Sequence, residues 1–129
     1  MESALQKYRP YALSLLRIIV ALVLFSYGTQ KILGFPAADI VPTVYSLSWF
    51  AGLIELLVGF ALLIGFYSRA AAFVLSGEMA FAYFIAHFPK SFYPAQNGGV
   101  AAILFCFAFL YLAISGPGPV SVDAWRKGR

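Results

Sequence analysis

The chain has 129 residues, 62% of them in the hydrophobic set and only 11% charged, against about 25% charged in an ordinary soluble domain. So few charges cannot clothe a water-exposed surface, which excludes an ordinary soluble enzyme and requires lipid to cover part of the chain. The formal charge of +4 forms no basic, aromatic-interleaved face outside the C-terminal tail, so it reads as a topology signal and contact with anionic lipid, not as a nucleic-acid surface.

One domain is expected at this length. Cys106 is alone, which rules out an intrachain disulfide, a Cys-x-x-Cys redox pair and a cysteine zinc cluster. A single histidine cannot hold a haem between two histidines of one chain. No flavin or metal fingerprint is present, and no Ser–His–Asp arrangement supports a nucleophilic triad.

Met1–Pro10 is short and basic, with Lys7 and Arg9. The apolar run after it is too long for a signal-peptide core, contains Arg17 and lacks a small-x-small cleavage site, so it is kept as the first span, about 11–33. At 100° per residue Arg17, Ala21, Leu24, Gly28 and Lys31 share one stripe, the face expected to meet other helices. Gly34-Phe35-Pro36 ends it, and the following loop, with Asp39, is expected in the interface.

The second helix, about 48–67, begins WFAGLIELLVGF. Gly52, Glu55 and Gly59 fall on one stripe, so a neighbouring backbone can approach beside a carboxylate. A short connection ending at Arg69 makes the third helix, about 70–88, antiparallel to it. That helix carries Glu78, with Ala71, Val74, Ala82 and Ile85 on its stripe, and the sole histidine, His87, at its exit. The loop PKSFYPAQNGG leads to a fourth helix, about 98–115, short for a span unless it borrows residues from Pro94 onward. SGPGP stops it, leaving a tail with Asp123, Trp125, Arg126, Lys127 and Arg129. The expected fold is therefore all-α: an integral membrane four-helix bundle. Lys7, Arg9, Arg69, Arg126, Lys127 and Arg129 collect on one side, Lys31 and Lys90 on the other, which places the N- and C-termini in the cytoplasm.

Ionisable groups inside a membrane are costly and point to a site or a clasp. Counted at 1.5 Å per residue from the cytoplasmic ends, Arg17 lies roughly 9 Å deep, Glu78 roughly 12 Å and Glu55 roughly 16 Å. Arg17 is therefore expected to pair with Glu78, Glu55 or both, as a buried polar network. Two readings stand side by side: a clasp that fixes helix order, and a proton-accepting or ligand-binding site. At the opposite face Tyr27, Gln30, Lys31, Trp49, Tyr83, His87, Lys90 and Asn97 could hold a quinone headgroup or a small anion, although such residues belong at any membrane interface. His87 projects opposite Glu78 on a regular helix, so the two are not expected to share a pocket.

The ordered segments LLRI (Leu15–Ile18), YGTQKILG (Tyr27–Gly34), GLIELLVGFALLIGFYSRAAA (Gly52–Ala72), MAFAYFIAHFPKSFYPAQNGG (Met79–Gly99) and GPGPVSVDAW (Gly116–Trp125) span nearly the whole chain. Together they resemble the DoxX family, bacterial inner-membrane four-helix proteins related to the DoxD subunit of thiosulfate:quinone oxidoreductase. The resemblance implies a multi-pass inner-membrane protein associated with redox systems through quinone, thiosulfate or oxidoreductase partners. Arg17, Lys31, Glu55, Arg69, Asn97 and Asp123 match the family pattern. Tyr27 stands where members often have histidine, and Val100 where many have an acid, so a proton-transfer role at those two positions does not carry over.

The leading functional expectation is a membrane component of a redox system, binding quinone or a sulfur oxyanion and working with membrane or soluble oxidoreductase partners. The rivals are a non-catalytic scaffold or assembly factor, whose buried charges are only a clasp, and a small-molecule or lipid carrier, which four short helices would form by oligomerising.

Overall fold

The computed structural model describes residues 2–37, 42 and 44–127; the loop carboxylate Asp39 and the terminal Arg129 lie outside them. All regular structure among the described residues is helical. In chain order it comprises α1 (Glu2–Gln6), α2 (Arg9–Leu33), α3 (Leu47–Ile64), α4 (Ser68–Ala82), a π turn (Tyr83–His87), a 3₁₀ turn (Phe88–Lys90), α5 (Pro94–Asn97), α6 (Val100–Ser115) and α7 (Val122–Lys127).

Three stretches are long and apolar enough to cross a bilayer: Arg9–Leu33, Leu47–Ile64 and Ser68–Lys90. The fourth apolar helix, Val100–Ser115, has 16 residues and covers about 24 Å at 1.5 Å per residue, short of a hydrocarbon core of about 30 Å. The boundaries follow local chemistry. Gly34 and Gly65 end α2 and α3 in the left-handed conformation, at φ 74 and 78, where a side chain would clash with the backbone. Ser46 caps α3 by accepting a hydrogen bond from Trp49 N at 3.2 Å, which satisfies one orphan donor of the first turn.

α2 lies along α3, α4 lies along α6, and the two pairs meet chiefly through α3 and α4. The first pairing is intimate. A Cβ on Gly28 would stand 2.6 Å from the backbone nitrogen of Leu56, so only glycine lets the helices approach so closely. The expected stripe on α2 is the buried one: Arg17, Ala21, Leu24 and Gly28 are shielded. On α3 it is Gly52, Glu55, Gly59 and Leu62. Leu24, Leu62, Leu75, Phe109 and Leu112 form the centre of the packed interior, and Ser76 Oγ ties α4 to α6 by donating to the Cys106 carbonyl at 2.8 Å. Large apolar side chains such as Leu15, Ile19, Leu57, Phe73, Phe81 and Leu104 face outward, as they do where lipid and not water is the solvent.

Candidate functional site

Arg17 does not meet the carboxylates. Its guanidinium donates to the carbonyls of Pro117 at 2.5 Å, Val120 at 2.8 Å and Leu63 at 3.3 Å. The expected Arg17–Glu55 or Arg17–Glu78 pair is thereby corrected, for a reason of distance. Leu63 lies eight residues beyond Glu55, about 12 Å along the same helix, and carbonyls left unbonded at the ends of α3 and α6 stand at the arginine's own level. Ser14 Oγ joins the same knot, donating to Pro117 O at 3.0 Å and accepting from Val120 N at 3.1 Å. Arg69 closes the end of α6 likewise, donating to the carbonyls of Ile114 and Ala113. Asp123 completes the strap: its carboxylate accepts from Tyr67 N at 2.8 Å and Ser68 N at 2.7 Å, donors that have no acceptor within the first turn of α4. The GPGPVSVDAW stretch thus ties the C-terminal tail across the ends of α2, α3, α4 and α6.

Glu55 and Glu78 do come together, and their cation is Lys31. Lys31 Nζ bonds both oxygens of Glu55 at 3.1 Å; the Glu55 side chain is 2% exposed and that of Lys31 26%. The Glu78 carboxyl lies against that of Glu55 and near Lys31. Both of its oxygens are buried without a hydrogen-bond partner among the described residues. Two carboxylates and one ammonium sum to a charge of −1, and two acceptor-only groups attract one another only with a proton between them.

Beside this cluster α3 and α4 part to leave a cleft of about 750 Å³, within the range of small-molecule pockets. Phe50, Ile54, Val74, Phe81 and Ile85 make up much of its wall, and Lys31, Glu78 and His87 are its charged or titratable groups. Several of the wall residues are exposed on the lateral, apolar surface, so the cleft opens towards lipid. Gly77 also lines it, and a Cβ added there would meet nothing within 4 Å. A glycine inside a helix costs about 0.5–1 kcal/mol relative to alanine; here it leaves room.

His87 shares the cleft with Glu78, against the expectation of opposite faces. The π turn at Tyr83–His87 holds one residue more than an α turn, which sets the side chains at its end back by about one position, roughly 100° around the axis. Nothing in the residue pattern announces that rephasing. The His87 Nδ1 is 3.1 Å from the Asn97 carbonyl, an acceptor only, so Nδ1 donates in this contact.

The other outer-face candidates fall elsewhere. Asn97 is buried and organises its own loop: Nδ2 donates to Tyr83 Oη at 3.1 Å and Ser91 O at 2.9 Å, and Oδ1 accepts from Gly99 N at 2.8 Å. Its side-chain donors are therefore committed. Gln30 donates to Ala37 O at 3.3 Å, and the Tyr27 ring packs edge-on against Phe105; neither lines the cleft. Gly77 and Phe81, which do, give no signal in the sequence because neither carries chemistry of its own.

The family model described as DoxX matches residues 12–88, which hold the first three apolar helices and every polar group of the cleft. The chain belongs to the DoxX family. An uncharacterized protein of Haemophilus influenzae is 42% identical over 131 aligned positions, covering 92% of this chain and 93% of that relative. No solved structure matches the chain. As a DoxX protein with apolar, span-length helices, the molecule is a multi-pass membrane protein.

Proposed function

We propose that this DoxX protein is a component of a bacterial inner-membrane redox system that binds a quinone in the cleft between α3 and α4. In this reading the four apolar helices form a bundle with both termini in the cytoplasm, because Lys7, Arg9, Arg69, Arg126 and Lys127 lie at the strapped end. The observation that carries it is the cleft itself: apolar-walled, open to lipid, with Lys31 and Glu78 at its inner side and Gly77 keeping it wide. A lipophilic ring with a few polar atoms suits such a site, since apolar walls supply the burial and a few placed polar groups the orientation. A sulfur oxyanion suits it poorly, since the one cation of the cleft, Lys31, is already paired with Glu55 and Glu78 stands beside it. No redox group is implied by the residues themselves, so electrons would pass through the quinone and an oxidoreductase partner, with or without a second copy of the chain.

Arg17 takes the clasp role in this reading, Glu55 holds Lys31 in place, and Lys31 with Glu78 lines the ligand site. The test is native mass spectrometry of protein extracted gently with its lipids. Bound quinone is expected in the native protein and absent in Gly77→Leu, whose side chain enters open space and leaves helix content by circular dichroism unchanged. Equal quinone occupancy in both proteins would remove the cleft as the binding site, and none in the native one would overturn the reading in favour of a scaffold.

A further inference from the structure

The interior shared by all the long helices lies towards the strapped end. On α4 the buried positions run from Ser68 to Met79, and the π turn beyond has none. Packed with them are Ala21 and Leu24 of α2, Leu62 of α3, and Phe109 and Leu112 of α6. Farther from the strap the buried positions of α3 serve its own partner helix: a Cβ on Gly59 would meet Phe25 of α2, and one on Gly52 would meet Lys31. There α3 and α4 part around the cleft, while α2 and α6 still touch through Tyr27 and Phe105. The molecule is thus two helix pairs, α2 with α3 and α4 with α6. The strap and the short turn at 65–67 join them at one end, and the α3–α4 side is open at the other.

About where the shared core ends, α4 carries Glu78. Glu55 of α3 lies against it with Lys31 of α2 near, and Lys31 already bonds both Glu55 oxygens. On the flank of α4 that meets α6 the titratable group is Cys106, 3.6 Å from Ser76 Oγ. His87 stands nine residues along from Glu78, roughly 13 Å by helical rise. With a proton on either carboxyl, Glu55 and Glu78 are donor and acceptor, and the trio with Lys31 is neutral. Without it two carboxylates oppose each other across the seam between the pairs, away from water, and like charges so placed repel. The common core fixes the strapped end, so the strain is relieved by swinging α3 from α4 at the open end, a hinge motion.

We propose that a proton held between Glu55 and Glu78 is a latch: while it is bound the two helix pairs are drawn together, and its loss swings their open ends apart and widens the cleft. The proton leaves towards the open end, where Lys31 stands in the last turn of α2 with 26% of its side chain exposed. The latch belongs to the chain itself and does not rest on which ligand the cleft takes.

The test is pulsed electron–electron double resonance on the full-length protein in lipid nanodiscs, with no quinone added. Spin labels are placed at Leu47→Cys and Phe84→Cys, exposed positions near the open ends of α3 and α4, in a Cys106→Ala background. The distance between them is expected to lengthen by a few ångströms from about pH 5, above the ordinary carboxyl value, to about pH 10, below the ordinary lysine value. Glu78→Gln, whose amide donates to Glu55 without a titrating proton, is expected to keep the shorter distance at both. His87→Ala is expected to retain the native lengthening. Should Glu78→Gln lose its helical circular dichroism, Glu55→Gln, which leaves one carboxyl for one ammonium, replaces it with the same expectation. An unchanged distance in the native protein, a longer one at the lower pH, or a lengthening that survives the glutamine variant would each overturn the latch. None of these outcomes bears on whether quinone binds in the cleft.

Discussion

With 2% of its side chain exposed and Lys31 as its ion-pair partner, Glu55 depends on a cation from the neighbouring helix. Removing one partner of a buried pair costs about 3–5 kcal/mol; because Lys31 is itself partly exposed, Lys31→Met is expected near the lower end, about 3 kcal/mol, in equilibrium unfolding in mixed micelles. Adding Glu55→Gln should recover most of that loss, since no carboxylate is then stranded at that position. A double variant as unstable as the single one would show that Lys31 supports the fold by packing and not by charge. Gly77 makes the opposite kind of prediction. Gly77→Ala enters open space in a helix interior and should raise stability by about 0.5–1 kcal/mol, while narrowing the cleft and weakening the proposed quinone binding. Gained stability with lost binding is the signature of a position kept small for its ligand.

Among the elements, α4 depends most plainly on a distant part of the chain. Its N-cap, Tyr67, has no side-chain cap of its own and sits at φ 50, a left-handed conformation unusual for a bulky residue. Asp123 supplies the missing acceptor from the tail. Burial pushes the Asp123 carboxyl up, but the Ser68 and Tyr67 bonds and the Arg126 charge outweigh it, and the group lies below its ordinary value. A depressed carboxyl stabilises the folded state above its unfolded pKa, about 3.9, and that contribution disappears as pH falls through the folded value. Hydrogen-exchange protection of the Tyr67 and Ser68 amides should therefore be full at neutral pH and drop below about pH 4. Asp123→Ala should remove it at every pH, at a cost of about 1 kcal/mol; unchanged protection would assign the capping to other groups. This strap is hard to foresee from residue order, because its acceptors are backbone carbonyls of Pro117 and Val120, which no side-chain periodicity reveals. The stripes on α2 and α3 are legible for the converse reason: charges and glycines repeat there at helical spacing, and helical spacing decides which side is buried. The π turn leaves no such trace, so a regular helical projection sets His87 on the wrong side of its helix.

On the scale of the whole molecule, the all-helical, membrane-embedded character is legible from composition, since a chain with 11% charged residues has too few to solvate its outer surface. Which helices lie together is not legible, because that choice rests on close approaches such as Gly28 against Leu56. Gly28→Leu is expected to force α2 from α3 and lower stability by more than the roughly 1–3 kcal/mol typical of overpacking, since backbone and not a yielding side chain stands in the way. Sidedness has its own check: cysteine placed at Lys127 should react with a membrane-impermeant maleimide only after cells are opened, if both termini are cytoplasmic. The lateral opening of the cleft has a last consequence. A ligand entering from the hydrocarbon phase arrives by diffusion in two dimensions, so its occupancy follows mole fraction in the lipid and not concentration in water. Diluting the membrane with inert phospholipid should therefore empty the site even when the bulk amount of ligand is held constant.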